Sequence, residues 1–159
     1  MERYFSPCPR GLEEALAAEL GRLGAQRVGR VDGGVGFEGP IELAYVVNLE
    51  SRLASRVLWR VGGGPYRDER ELNALARGVA WPTHFRADRT IRVDVAATRS
   101  PLRSLEFATL TVKDAVCDRF RDEQGKRPSV DKRMPDVRVH AYLTEREATL
   151  TLLFDVGQL

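Results

Sequence analysis

The chain has 159 residues, of which 43% are hydrophobic and 30% are charged, and its net charge is +2. This balance is typical of a folded globular protein and excludes a disordered chain. No segment approaches the ~20 consecutive apolar residues that a membrane-spanning helix needs, and the first residues lack the apolar core of a secretory signal, so we predict a cytoplasmic protein.

The first 64 residues predict the element order β-α-β-β-α-β, which is the ferredoxin-like arrangement. The sequence Asp32-Gly33-Gly34 predicts a hairpin turn between two of the strands. The run Gly62-Gly63-Gly64-Pro65 is interpreted as a turn between two domains, residues 1–64 and 65–159. Before it, the predicted strands cover residues 2–6, 26–31, 35–38 and 55–61, and the predicted helices cover residues 12–23 and 41–49.

Residues 65–159 predict a second unit that also mixes helices with strands, so the fold class is α+β. Asp68 and Glu71 have the spacing of a capping box at a helix start, and Gly125 is typical of a helix end. Each strand has one apolar and one polar face, which indicates helices on a single side of the sheet. The predicted helices cover residues 68–79 and 104–123, and the predicted strands cover residues 91–97, 137–143 and 148–154.

Two basic loops flank the long helix of the second unit. Pro101, Pro128 and Pro135 stiffen them, because proline fixes its own backbone and restricts the residue before it. A stiff basic loop suits the phosphates of an RNA backbone, but the same charges also fit a solvated, arginine-rich surface. The cations are Arg99 and Arg103 in the first loop, Lys126, Arg127, Lys132 and Arg133 in the second, and Arg138 in the strand that follows.

A second basic pattern lies on the predicted strands. Arg138, His140 and Tyr142 alternate with apolar residues, so they should project from one face of their strand. Such a row of basic and aromatic side chains suits phosphate and base-stacking contacts, and it also fits the ordinary polar face of a one-sided sheet. Arg56 and Arg60 form a similar pair on the predicted strand of the first unit. Charge and spacing alone leave both interpretations open.

The residue patterns do not predict a catalytic centre. Cys8 and Cys117 lie far apart with no histidine at ligand spacing, so we interpret them as packing residues rather than as a disulfide or zinc ligands. His84 and His140 are isolated in the sequence. The glycine-rich segments do not follow a predicted strand and open a helix, as a phosphate-binding glycine loop does, and they are interpreted as turns. We therefore predict no catalytic residue, no cofactor and no metal for this chain.

Several short strings resemble one family of RNA-modifying enzymes. Residues 9–14 (PRGLEE) and 33–39 (GGVGFEG) resemble the start of bacterial THUMP-containing RNA methyltransferases. The further strings resemble the L group of large-subunit rRNA guanine methyltransferases, and all of them occur in the family's order over nearly the whole chain. They are residues 51–58 (SRLASRVL), 112–116 (VKDAV), 127–131 (RPSVD) and 135–139 (PDVRV).

This resemblance implies a ferredoxin-like domain followed by a THUMP α/β domain that binds structured RNA, above all large-subunit rRNA. In such proteins these domains precede one that methylates a guanine N2 amine with S-adenosylmethionine, and the motifs of that domain have no counterpart here. The chain is therefore expected to target RNA for a methyltransferase domain in cis or in trans, and to be inactive alone. The resemblance implies that the cations of the matching residues contact RNA phosphates, and that Pro128 and Asp131 shape the loop. The matching residues are Arg103, Ser104, Lys113, Arg127, Pro128, Asp131, Asp136 and Arg138.

Two other interpretations accompany this one. The same module could act on tRNA, or it could dock a protein partner without any RNA. A self-contained enzyme has only generic support, because no catalytic constellation is visible in the sequence. Including the basic-loop residues, the predicted RNA-contacting set is Arg99, Arg103, Ser104, Lys113, Lys126, Arg127, Lys132, Arg133 and Arg138.

Overall fold

The computed structural model describes residues 1–153 and divides the chain into two compact units. The first consists mainly of Met1–Arg60 and the second mainly of Val61–Leu152. The division lies close to the predicted boundary after residue 64, and the precise domain limits stay a prediction. No helix within residues 1–153 combines the length and the apolarity that crossing a bilayer requires.

The first unit has the predicted β-α-β-β-α-β order. Strand β1 pairs with β3 and β4, and β2 pairs with β3, all antiparallel, so the strand order is β2-β3-β1-β4. The stacked rings of Tyr4 and Phe37, 5.4 Å apart, lie in its core with Leu16, Leu20 and Val47. The elements are β1 Glu2–Pro7, α1 Glu13–Arg22, β2 Gln26–Val31, β3 Gly34–Gly39, α2 Ile41–Glu50 and β4 Leu58–Pro65, of which the residues from Val61 onward belong to the second unit.

Two sequence-based interpretations of this unit are wrong. Residues 51–57 form a loop, because the Glu19 carboxylate accepts hydrogen bonds from the Ser51 hydroxyl and from the Arg52 amide (3.1 Å). Arg56 therefore precedes β4 and shares no strand face with Arg60. The interpretation of the glycine-rich segments as turns is also wrong, because residues 62–64 continue strand β4 and Gly34 and Gly36 lie in strand β3.

The second unit contains the remaining elements. Strand β6 runs parallel to β5 and antiparallel to β7, in the order β7-β6-β5. A single turn of 3-10 helix, Trp81–Thr83, follows the first helix. The predicted end of the last strand at residue 154 lies outside the described residues. The elements are α3 Glu69–Arg77, β5 Ile91–Ala97, α4 Leu105–Gln124, β6 Val137–Leu143 and β7 Glu147–Leu153.

Helix α4 and the sheet share the core of this unit. Val112 and Phe120 on α4 are fully buried, as are Val139 on β6 and Leu150 on β7. Strand β6 alternates as predicted, with every second side chain from Val137 onward buried and the residues between them more exposed. This alternation turns the polar face of β6 away from the buried side chains that it shares with α4.

The predicted helix ends are only partly as expected. Gly125 ends α4 in the left-handed conformation at φ 70°, which glycine adopts at little cost. Asp68 caps α3 by accepting a hydrogen bond from the Glu71 amide at 2.8 Å. The Glu71 carboxylate does not return that bond, because it binds the Arg67 guanidinium at 3.1 and 3.2 Å instead. The capping box is therefore half formed.

Candidate nucleic-acid interface

The predicted RNA-contacting residues lie at opposite ends of the second unit. Because β5 and β6 are parallel, with Ile91 opposite Val137 and Ala97 opposite Leu143, both strands begin at one end and finish at the other. Helix α4 connects the two ends, and its 20 residues correspond to about 30 Å. The structure therefore divides the predicted set into a 98–104 loop before α4 and a 125–136 loop after it, with Lys113 between them on the helix.

The 98–104 loop is tied to the end of the sheet. The Tyr66 hydroxyl donates to the Thr144 carbonyl and shares a hydrogen bond with the Ser100 hydroxyl, both at 2.7 Å. Arg99 is exposed and adopts a positive φ of 56°, which is uncommon for a residue with a side chain. Ser104 is the N-cap of α4, since its Oγ accepts a hydrogen bond from the Phe107 amide at 3.1 Å.

The 125–136 loop is fixed to the starts of β5 and β6 by backbone hydrogen bonds. The Ile91 amide donates to the Ser129 carbonyl at 2.9 Å, and the Asp131 amide donates to the Ile91 carbonyl at 3.0 Å. Within the loop, the Asp131 carboxylate accepts from the amides of Arg133 (3.0 Å) and Met134 (3.1 Å). These two backbone donors hold the pKa of Asp131 below its usual value. The predicted loop-shaping role of Asp131 agrees with this geometry.

The start of the same loop is packed against α4. Pro128 is buried, and its carbonyl lies 3.7 Å from the Cys117 sulfur. Burial raises the pKa of the Cys117 thiol, and burial likewise raises the pKa of Cys8. A raised pKa keeps each thiol protonated near neutrality, which suits a packing residue better than a nucleophile.

The cations of the two loops differ in their ion pairs. Lys113 lies 2.6 Å from Asp114, and Arg127 lies 3.8 Å from Asp118 and 4.0 Å from Asp114, so part of their charge is compensated. Within residues 1–153, no carboxylate forms an ion pair with the other predicted cations, of which only Arg138 is half-buried and the rest are exposed. These are Arg99, Arg103, Lys126, Lys132, Arg133 and Arg138.

The sequence patterns did not single out Arg92, which ties the 125–136 loop to the sheet. The Arg92 guanidinium donates to the Lys132 carbonyl at 2.7 Å and pairs with Asp94 at 3.0 Å. Arg92 is also the register partner of Arg138 across β5 and β6. The alternation of β5 placed Arg92 on the polar face, but only the pairing of two parallel strands could place it beside Arg138.

An exposed aromatic residue near the 98–104 loop was also missed. Phe107 is 54% exposed and Leu110, one turn further along α4, is 49% exposed. Both lie off the buried stripe of the helix, which was the signal available in the sequence.

The row of Arg138, His140 and Tyr142 on β6 runs from one end of the sheet to the other, and the Tyr142 hydroxyl shares a 2.8 Å hydrogen bond with the Thr98 hydroxyl.

The described residues do not fit a metal or nucleotide-cofactor site. Within residues 1–153, no group of three or more His, Cys, Asp or Glu side chains is placed to hold a metal ion. Gly34 and Gly36 lie within β3, and residues 62–64 lie within β4, so neither glycine-rich segment opens a helix. A phosphate-binding glycine loop needs that position at a helix start.

Family models match both units. The model described as "RlmL ferredoxin-like domain" matches residues 3–58, and the model described as "THUMP domain" matches residues 66–153. The second match covers the 98–104 loop, the 125–136 loop and the helix between them.

Two curated relatives that the chain resembles carry the same description. The chain is 38% identical over 152 residues to "Ribosomal RNA large subunit methyltransferase K/L" of Aeromonas hydrophila and 41% identical over 150 residues to that of Syntrophotalea carbinolica. These alignments cover 96% and 94% of this chain. They cover 21% of each relative, so the chain spans about a fifth of the length of the proteins it matches.

Solved structures share the fold at low identity. A predicted N6-adenine-specific DNA methylase from Listeria monocytogenes matches with a TM-score of 0.84 and 23% identity, covering 96% of this chain and 40% of that one. A 4-thiouridine synthetase in complex with RNA and ATP matches with a TM-score of 0.67 and 15% identity, covering 97% and 41%. At these identities the matches show the fold alone.

Proposed function

Because the chain belongs to the THUMP domain family, and carries a ferredoxin-like domain of the RlmL type before its THUMP domain, we propose that it is the RNA-binding module of an rRNA methyltransferase. Its task is to bind structured large-subunit rRNA and present it to an S-adenosylmethionine-dependent domain that methylates a guanine N2 amine. The chain itself supplies no methyl transfer. Ribosomal RNA as the substrate implies a cytoplasmic location, which forms part of this proposal.

The observation that carries the proposal is the 125–136 loop. Its backbone is held by β5, by the Asp131 carboxylate and by Arg92, while the side chains of Lys126, Lys132 and Arg133 remain exposed and unpaired within residues 1–153. A fixed loop loses little conformational entropy on binding, so its cations can contact phosphates at low cost. Sequence-independent phosphate contacts of this kind position an RNA for a separate catalytic domain.

The distribution of unpaired cations supports the 125–136 loop as the main contact surface. Within residues 1–153, this loop carries three unpaired cations, Lys126, Lys132 and Arg133, and Arg138 is the second residue of the strand that follows it. Arg99 and Arg103 lie about 30 Å away at the other end of α4. An RNA that touches both loops must therefore extend along the whole unit, which suits a folded RNA segment rather than a short single strand.

A salt titration of RNA affinity tests the proposal. We expect the triple variant Lys126→Ala, Lys132→Ala, Arg133→Ala to bind a structured rRNA fragment more weakly, and the slope of log affinity against log salt to fall by roughly two to three. The control removes three exposed arginines that form no ion pair within residues 1–153, Arg10, Arg22 and Arg70. If both triple variants lose affinity and slope equally, the effect comes from net charge and the 125–136 loop is not the site.

A further inference from the structure

A cleft of about 730 Å³, lined by both polar and apolar groups, opens beside the 125–136 loop. One wall is formed by Pro82 of the 3-10 helix and by residues 86–88 after it, and the other is the end of α4 with the first residues of the loop. Its polar lining includes Arg86, Gln124, Lys126 and Arg127. The volume falls within the range of small-ligand sites, so the cleft can take a group as large as one nucleotide.

Buried aromatic side chains fix the first wall. Phe85 packs on Phe120 of α4 with ring centroids 5.0 Å apart, and on Trp81 at 6.5 Å. Trp81 is fully buried and donates its indole N–H to the Ala76 carbonyl at 2.7 Å. The second wall is held by the left-handed Gly125 and by the contacts of Arg127 with α4. The cleft is therefore preformed.

The cations that line the cleft differ in whether they have an ion-pair partner. Arg86 pairs with Asp88 at 3.0 Å, and both side chains are exposed, so this pair is accessible to an incoming anion. Lys126 has no ion-pair partner within residues 1–153. Cations near the C-terminal end of α4 also interact favourably with the helix dipole. Arg86 belongs to a different segment, so the dipole does not explain why Arg86 lines the cleft.

We propose that this cleft takes one unpaired nucleotide of the bound RNA, with its phosphate against Lys126 and Arg86 and its base within reach of Gln124. The proposal rests on the RNA-binding function proposed above. A nucleotide stacked in a duplex cannot enter a concave cleft, whereas a bulged or looped-out nucleotide can be turned out of the stack. The Gln124 amide offers both a donor and an acceptor to a base edge, and the Arg86 guanidinium suits a phosphate.

Binding of two matched RNA hairpins tests this proposal. One hairpin carries a single bulged nucleotide and the other is fully paired, and fluorescence anisotropy measures both affinities. We expect the wild-type protein to prefer the bulged hairpin, and Arg86→Ala and Gln124→Ala to lower that preference up to about tenfold. Asp88→Asn should strengthen binding of the bulged hairpin, because it removes the anion that competes for Arg86.

The possible outcomes distinguish failure of the cleft proposal from failure of the proposed function. If Arg86→Ala and Gln124→Ala leave the ratio of the two affinities unchanged while the 125–136 loop variant still weakens RNA binding, the cleft proposal is wrong and the function stands. If the wild-type protein binds the structured rRNA fragment but neither hairpin, the cleft proposal alone is wrong, and if it binds none of the three RNAs, both proposals are wrong. Arg70→Ala is the charge control, because Arg70 lies on α3 outside the cleft. Circular dichroism confirms that each variant is folded.

Discussion

Thr90 and Asp136 form reciprocal hydrogen bonds between the starts of two parallel strands. The Asp136 carboxylate accepts hydrogen bonds from the Thr90 amide at 2.9 Å and from the Thr90 hydroxyl at 3.2 Å. The Thr90 hydroxyl in turn accepts from the Asp136 amide at 3.0 Å. This reciprocal pair joins the residue before β5 to the residue before β6, so it closes the 125–136 loop at its base.

Breaking this pair should destabilise the second unit. We expect Asp136→Ala to lower the free energy of unfolding by about 1–3 kcal/mol, because the Thr90 amide and hydroxyl lose a charged acceptor. Urea denaturation measures the change. Thr90→Ser keeps the hydroxyl and should stay near the wild-type value, whereas Thr90→Val should resemble Asp136→Ala. Equal stability of the Ser and Val variants would contradict the role of the hydroxyl.

The Asp131 carboxylate should make the order of the loop depend on pH. Its pKa is lowered by the Met134 and Arg133 amides, so the ionised form is the one that the folded loop favours. The resulting stabilisation is present above the ordinary aspartate pKa and is lost as the pH falls through the lowered value. NMR titration of the Arg133 and Met134 amides should show this transition below the usual aspartate range.

Two substitutions of Asp131 should have opposite effects on RNA affinity. Asp131→Ala removes the acceptor, so the loop loosens and RNA binding weakens. Asp131→Asn keeps a side-chain oxygen that can accept the same two bonds and removes a negative charge beside the cations, so RNA binding should equal or exceed that of the wild type. Gel-shift titration at fixed salt compares them. Weakening by both variants would mean that the charge of Asp131 itself is required.

Ser104 offers a way to separate capping from RNA contact. Ser104→Ala should cost about 1 kcal/mol of stability, since the Phe107 amide loses its acceptor. Ser104→Asp keeps the cap and adds a negative charge that favours a helix start, so thermal stability should be preserved. If RNA phosphates approach the 98–104 loop, the Asp variant should bind RNA more weakly than the wild type. Unchanged binding would remove Ser104 from the predicted contacts.

The glycine run in β4 should tolerate substitution unevenly. A Cβ on Gly62 would lie 2.5 Å from Cγ2 of Val79, whose branched side chain has little freedom to move. We expect Gly62→Ala to cost about 1–3 kcal/mol in urea denaturation. Gly64→Ala is the matched control, because its Cβ would meet only the end of the flexible Leu75 side chain at 3.1 Å. A Gly62 variant as stable as the Gly64 variant would contradict this packing.

Local patterns predicted the elements better than their ends. The buried stripe of α4 and the alternation of β6 follow directly from the spacing of apolar residues, and Gly125 ends the helix as expected. The segment around Arg56 was misplaced because Glu19, more than 30 positions earlier, binds the backbone of the loop that precedes it. Propensity near a residue cannot reveal a hydrogen bond to a distant carboxylate.

The candidate site was likewise predicted from the sequence only in part. Charge and proline content identified both basic loops, and the resemblance added Lys113 and Ser104. The structure then assigned Ser104 to the cap of α4 and paired Lys113 with Asp114, which leaves the 125–136 loop as the main group of unpaired cations within residues 1–153. Arg86 and Arg92 could be recognised as parts of the candidate site only from the way the fold brings different segments together.

By itself, the sequence determined which stretches form helices and strands, which loops carry the charge and which family the chain resembles. These properties depend on side chains a few positions apart, whose spacing is visible in a single chain. The predicted long helix already separates the two basic loops that flank it by about 30 Å. Tertiary structure alone decided that the 125–136 loop is fixed to the starts of β5 and β6, because the partners of its backbone bonds lie about 40 positions away in the sequence. It also decided which cations stay unpaired, since every ion pair depends on where the folded backbone places its carboxylate.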